Sequence, residues 1–190
     1  MDFETVRLFF ALLAVAANAA TIGIIVIGIA GRTGAGPHRS RDRVFESFRG
    51  LELWLAFAVA TTAMLGSLYL SEIVHLTPCT YCWYQRIAMY PLVLILGIAA
   101  WRRDHGIRVY AASLATVGAV IAVYHRLIQA FPDLGGSACS SGVPCTAAYF
   151  TLFGFVTIPY MALSAFTLIL ALLFVDRANS AGHRPSLPDV

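Results

Sequence analysis

Apolar residues run along this chain in five long blocks, interrupted mainly by small or uncharged polar residues. The blocks are Leu8 to Ala30, Leu53 to Ser71, Ile87 to Trp101, Val109 to about Ala130, and Tyr149 to Val175. A helix that crosses a bilayer needs about 20 mainly apolar residues at about 1.5 Å rise each, so the pattern predicts five membrane spans. Glu52 and Glu72 bracket the second. The fifth is long enough to tilt. Pro91 and Pro159 fall inside spans, which membrane helices tolerate better than soluble ones. The first block reads as a retained span and not as a signal peptide. Asp2 and Glu4 precede it in place of a basic n-region, and it is too long for a typical h-region.

Composition agrees with the pattern. Of 190 residues, 59% are hydrophobic and only 12% charged, against about 25% charged in a soluble domain. The mean hydropathy is +0.76. Halved charge and long apolar runs point to lipid as the solvent, and the length allows one compact membrane domain and little else. The net charge of +3 gives no reason to expect nucleic-acid binding. Placement of charge says more. All 13 basic side chains are arginines. Arg32, Arg39, Arg41, Arg43 and Arg49 fall between spans one and two, Arg102, Arg103 and Arg108 between spans three and four, and Arg177 and Arg184 after span five. Five spans put all of these on one side, leaving Arg7, Arg86 and Arg126 on the other. Arginine-rich short loops stay in the cytoplasm. The expected N-terminus is therefore outside and the C-terminus inside. The start of the 31–50 stretch, with Gly31, Gly34, Gly36 and Pro37, reads as a linker.

The four cysteines form two close pairs, and both fall on the outer side, where disulfides form and persist. The first pair lies in Pro78-Cys79-Thr80-Tyr81-Cys82-Trp83-Tyr84-Gln85-Arg86. A Cys-x-x-Cys spacing lets the sulfurs bond within one turn. Ile87 to Trp101 is only 15 residues, too short to cross, whereas starting at Cys82 gives 20. Cys82 is thus expected in the first turn of a membrane helix, where the dipole and free N–H groups favour an anion. Arg86 follows one turn later on the same face. The competing readings are a passive disulfide, or half of a zinc site completed by the other two cysteines. The second pair, Cys139 and Cys145, lies in a segment rich in glycine and serine. A bond there would close a small ring and staple little of the fold. An accessible disulfide on a loop suits exchange with a soluble partner.

Other residues carry weaker signals. His125 and Arg126 follow an uncharged run too short to cross, so they should sit within the outer part of span four. Ionisable groups at that depth are functional candidates, and the alternative is an interfacial histidine with a snorkelling arginine. Gln85 could donate to a bound carbonyl or meet interfacial water. Tyr81, Trp83 and Tyr84 read as interfacial belt anchors. Glu72 and His75 read as solvated rim, and Asn18 as interhelical polarity.

The ordered set is Cys-x-x-Cys-Trp-x-Gln-Arg, a membrane helix, a short arginine turn, a helix ending near Tyr-His, and a loop cysteine pair. It resembles the disulfide bond formation protein B family. Cys-Ser-Ser-Gly-Val-Pro-Cys and the later Phe153-Gly154-Phe155-Val156-Thr157-Ile158-Pro159 are similar to its short-loop, BdbC-like branch. The likeness covers about residues 51–175. It implies an all-α integral membrane bundle, a DsbB-like four-helix core, to which the helix at 8–30 is an addition. It also implies a thiol:quinone oxidoreductase of the bacterial cytoplasmic membrane, with its redox loops facing outside. On that likeness Cys79, Cys82, Cys139 and Cys145 are the redox residues. Cys82 is the quinone-facing sulfur, with Arg86 as its electrostatic partner. Once a quinone, ubiquinone or menaquinone, is implied, Gln85 becomes a candidate contact for its carbonyl and His125 a candidate contact or proton donor. Cys79 exchanges with the loop pair. Cys139 or Cys145, with Cys139 favoured, forms the mixed disulfide with a DsbA- or BdbD-like thioredoxin-fold oxidase. No metal is expected. Draining a strongly oxidising partner requires a still more oxidising acceptor, and no glycine-rich dinucleotide fingerprint occurs here.

The expected organisation is an N-terminal helix and basic linker over 1–50, the redox domain over 51–175, and a short cytoplasmic tail over 176–190. Two alternatives stand beside this reading. Vitamin K epoxide reductase homologues use similar parts, but their loop pair precedes the Cys-x-x-Cys in the chain. A structural or metal-binding membrane protein with inert disulfides is the other.

Overall fold

The computed structural model describes residues 3–30, 50–135 and 143–181. Five of its helices are long and apolar enough to cross a membrane. They are α1 (Phe3–Ala30), α2 (Glu52–Leu68), α3 (Thr80–Arg102), α4 (Arg108–Ala130) and α5 (Ile158–Ala181). The fold is all-α, with no strand among the described residues. Helix α2 packs on α3, α3 on α4, α4 on α5, and α5 back on α2, which closes a four-helix ring. Helix α1 stands outside the ring, packed along α5.

Lipid as solvent explains the distribution of side chains. Leu12, Ile22 and Ile25 on α1, Leu94 and Ile98 on α3, and Val117 and Val120 on α4 are all exposed. In hydrocarbon they need no cover. The ring interior instead holds small residues, among them Ala56, Ala60, Ala88, Ala111 and Ala115. Small residues let helix backbones approach and gain packing contacts, the main attraction between helices where burial from water contributes little. Gly118 is the extreme case. A Cβ there would lie 2.3 Å from the Phe166 ring, so α4 and α5 meet ring against backbone.

Polar side chains tie the end away from the cysteines. Asp176 of α5 is buried and pairs with Arg108 at 3.1 Å and with His105 at 2.7 Å. Glu52, buried at the start of α2, accepts from the Gly50 amide and from Asn179 of α5. Helix α3 stops at Arg103, which takes the left-handed conformation (φ 54°), and Asp104 then accepts from the Gly106 amide to begin a 3-10 turn.

Two span boundaries differ from the sequence expectation. Residues 149–157 are not helical: Leu152 and Val156 bridge across a tight turn in which Phe153 and Gly154 have positive φ. Helix α5 therefore begins at Ile158, and Pro159 sits in its first turn, where a missing N–H costs nothing. The apolar run from Tyr149 reflects aromatic loop residues, not helix. At the C-terminal end of α2, Tyr69–Ile73 widens into a π-helical turn. Of the sequence expectations, Cys139, the arginines of the 31–49 linker and Arg184 lie outside the described residues.

Candidate redox site and its cavity

The first cysteine pair is set by the start of α3. Cys79 is its N-cap, with extended backbone (φ −75°, ψ 173°), and its carbonyl accepts from the Trp83 amide at 3.1 Å. Cys82 follows in the first turn, as its spacing to Trp101 requires. The two sulfurs lie 3.2 Å apart as free thiols. A disulfide needs about 2.05 Å, so oxidation requires only a small approach.

Three further groups close around Cys79. Cys145, 1% exposed, packs with Cys79 and Ile128 of α4 in one buried cluster, with Tyr81 and Cys82 against it. His125 of α4, 2% exposed, presents Nε2 to Cys79 Sγ at 3.6 Å. Its Nδ1 faces the Gln85 amide nitrogen at 3.3 Å. With that amide donating, the neutral ring holds its proton at Nε2, toward the sulfur. The hydrogen bond that Cys79 donates to Cys82 and then burial push the Cys79 thiol up to about 12, against a smaller opposite effect of His125. Tyr81, expected as a belt anchor, turns its ring instead toward His125, with centroids 5.7 Å apart. Trp83 and Tyr84 are exposed, as an interfacial belt requires.

The ligand atoms of Cys79, Cys82 and His125 all lie within 4.8 Å of one another. Such a set could supply three of the four donors of a tetrahedral soft-metal site.

On the other side of Cys82 a cavity of about 470 Å³ opens between α1, α2, α3 and α5. Cys82, Gln85, Arg86 and Tyr90 line it from α3, in steps of three or four residues that share one helix face. The Arg86 guanidinium is held by Ser67 of α2, donating to its Oγ and to its carbonyl, both at 2.9 Å, and lies over the Trp83 ring at 5.2 Å. The Tyr90 hydroxyl is buried without a hydrogen-bond partner. Apart from this polar corner and the hydroxyls of Thr62, Thr77, Tyr149 and Ser164 the walls are apolar, with Leu55, Ala63, Met161 and Phe166 among them. An apolar pocket with a few convergent donors fits a ring with carbonyl groups and an apolar tail.

The structure thus brings together Cys79, Cys82, Cys145, Gln85, Arg86 and His125. It divides them, however. Gln85 and Arg86 stand on the cavity wall, whereas His125 lies behind Gln85 against Cys79, and Arg126 does not line the cavity. Sequence reasoning passed over Ser67, Tyr90 and Tyr149. Tyr149 donates to the Thr77 carbonyl at 2.6 Å and joins the loop before α5 to the segment before Cys79. Nothing in the local sequence of Ser67 or Tyr149 marks them, because their partners are distant in the chain.

The family model for disulfide bond formation protein DsbB matches residues 50–175. The chain belongs to the DsbB family. It is 52% identical over 119 residues to Disulfide bond formation protein C of Bacillus subtilis (strain 168), a match that covers 62% of this chain and 86% of that one. It is 47% identical over 129 residues to Probable disulfide formation protein C 2 of Bacillus anthracis, covering 68% and 92% respectively. No solved structure matches the chain. DsbB membership carries a role in disulfide bond formation and, with it, oxidoreductase chemistry in a multi-pass membrane protein.

Proposed function

We propose that this DsbB-family chain oxidises a DsbA- or BdbD-like thioredoxin-fold partner outside the bacterial cytoplasmic membrane and delivers the electrons to a membrane quinone. The observation that carries the reading is the position of Cys82. Its sulfur stands 3.2 Å from Cys79 and also lines the apolar cavity that holds Gln85 and Arg86. One sulfur therefore faces a thiol-exchange centre and a lipid-accessible class of ligand together.

The steps balance as two-electron transfers. The partner's dithiol reduces the Cys139–Cys145 disulfide and leaves as a disulfide. Cys139 forms the mixed disulfide, and the burial of Cys145 beside Cys79 supports this division of labour, since exchange with a soluble protein needs an accessible sulfur. The Cys139–Cys145 dithiol then reduces the Cys79–Cys82 disulfide, with Cys145 attacking Cys79. His125 Nε2 is in reach to give a proton to, or take one from, the Cys79 sulfur. Reclosure of the Cys79–Cys82 disulfide releases two electrons and two protons at the cavity. A quinone, ubiquinone or menaquinone, would supply the acceptor for both. Arg86 and Gln85 would hold its carbonyl oxygens, with the guanidinium fixed in place by Ser67.

The test is quinone reduction by the full-length protein in detergent, with a reduced thioredoxin-fold oxidase as donor. Absorbance should report reduction that requires all four cysteines. Cys82→Ser should abolish it while leaving the protein folded. Activity retained in that variant would remove Cys82 from the path, and no reduction with either quinone would overturn the reading.

A further inference from the structure

Helix α1 lies outside the residues matched by the DsbB family model, which begin at residue 50. It is nevertheless a wall of the cavity beside Cys82. Its attachment is specific. Asn18 Nδ2 lies 2.7 Å from Ser164 Oγ and 3.0 Å from the Tyr160 hydroxyl, both on α5. Within hydrocarbon such polar contacts between helices have no water to compete for them, so they fix rotation and depth. On its other side α1 does not pack along α2. Contact is made by the Phe10 ring, which sits on Gly66; a Cβ at Gly66 would lie 2.7 Å from that ring. Beyond Phe10 the two helices stay apart, and the space between them is the cavity.

The face that α1 turns to this space is apolar and mostly small: Phe10, Leu13, Ala14, Ala17 and Ala20. Along a helix these ten residues of separation span about 15 Å. The slot starts near the polar corner of Ser67 and Arg86 and runs along α1 toward the middle of the membrane. No charged side chain follows Arg7 on α1, so the α1 wall of the slot offers no charge to a ligand.

We infer that α1 forms the subsite for the prenyl tail of the quinone, so that this added helix determines which tail the protein accepts. The inference rests on the quinone reading above. It selects a prenyl tail over a free lipid chain because the slot is continuous with the donors at Gln85 and Arg86. Tail and head group are then held by one cavity. The alanines at 14, 17 and 20 leave the width that a branched chain needs, and Phe10 against Gly66 closes the outer end.

Photolabelling of the full-length protein in detergent with an azide-bearing prenylated quinone tests this without turnover. Peptide mass spectrometry should find label within 3–30 that excess prenylated quinone removes and excess phospholipid does not. In parallel, Ala17→Phe should widen the ratio of apparent KM between a prenylated and a tailless quinone by about tenfold, the cost expected of overpacking a fitted slot. Competable label confined to α2, α3 and α5 would overturn the inference and leave the quinone reading intact. Label displaced equally by phospholipid would make the slot a lipid site, which also overturns it. An unchanged KM ratio for Ala17→Phe would do the same. No competable label anywhere, with no quinone reduced, would bring down both.

Discussion

His125 reaches Cys79 with 3.6 Å between Nε2 and Sγ, while its other ring nitrogen is engaged by Gln85. A histidine buried in this way has one ring nitrogen left free, and it points at the Cys79 sulfur.

The Cys79 thiol is pushed up to about 12 chiefly by the hydrogen bond it donates to Cys82 and by burial, and His125 works in the opposite direction. Its thiolate fraction should therefore rise about tenfold per pH unit across the neutral and mildly alkaline range. Alkylation of Cys79 in the reduced protein, followed by peptide mass spectrometry, should show that slope with no plateau below pH 10. His125→Ala removes the lowering influence, so the whole line should move to slower rates. Electron input from the partner should fall about a hundredfold, the scale of a lost general acid or base. A plateau near pH 8 would contradict the environment described for Cys79.

Arg86 is pinned by two donations to Ser67. A planar guanidinium can make both and still present a donor to the cavity, whereas a lysine ammonium cannot reproduce the fork. Arg86→Ala and Arg86→Lys should both raise the apparent KM for quinone, the former about tenfold, as expected for loss of a charged hydrogen bond. Ser67→Ala should raise it by less. The KM for the protein partner should stay where it is. A change in the partner's KM alone would return Arg86 to the role of an interfacial anchor.

Gly118 meets the Phe166 ring where its Cβ would be. Gly118→Ala should therefore separate α4 from α5 and destabilise the bundle by about 1–3 kcal/mol. Thermal unfolding in detergent should show a lower midpoint, and Phe166→Leu in the same chain should restore part of it. An unchanged midpoint in the single variant would mean that the ring turns aside without cost.

Cys79, Cys82 and His125 are close enough to hold a soft metal. Under the redox reading, prolonged treatment with a chelator should leave both quinone reduction and the titratable thiols of the reduced protein unchanged. Loss of activity on chelation, restored by zinc, would make this a metal centre instead.

The spans were legible because hydrocarbon demands long uninterrupted apolar runs with every backbone group satisfied locally. The same logic placed Cys82 in the first turn of α3, since Ile87 to Trp101 is too short to cross. It failed for Tyr149 to Thr157, where aromatic residues imitate a span but fold into a turn around Phe153 and Gly154. Gly154 and Pro159 were the available signals: a turn residue, then a proline at the start of a helix.

By itself the sequence determined the number of spans, the cysteine pairing motif and the membership of a recognisable family. These depend on local composition and spacing, which the solvent and the covalent chain impose directly. Only the tertiary structure decided that His125 lies against Cys79 and off the cavity wall, that Ser67 holds Arg86, and that α1 walls the cavity. Each of these joins helices far apart in the chain. Which faces of near-uniformly apolar helices meet is set by the fit of small residues and rings, as between Gly66 and Phe10, and hydropathy carries no record of that fit.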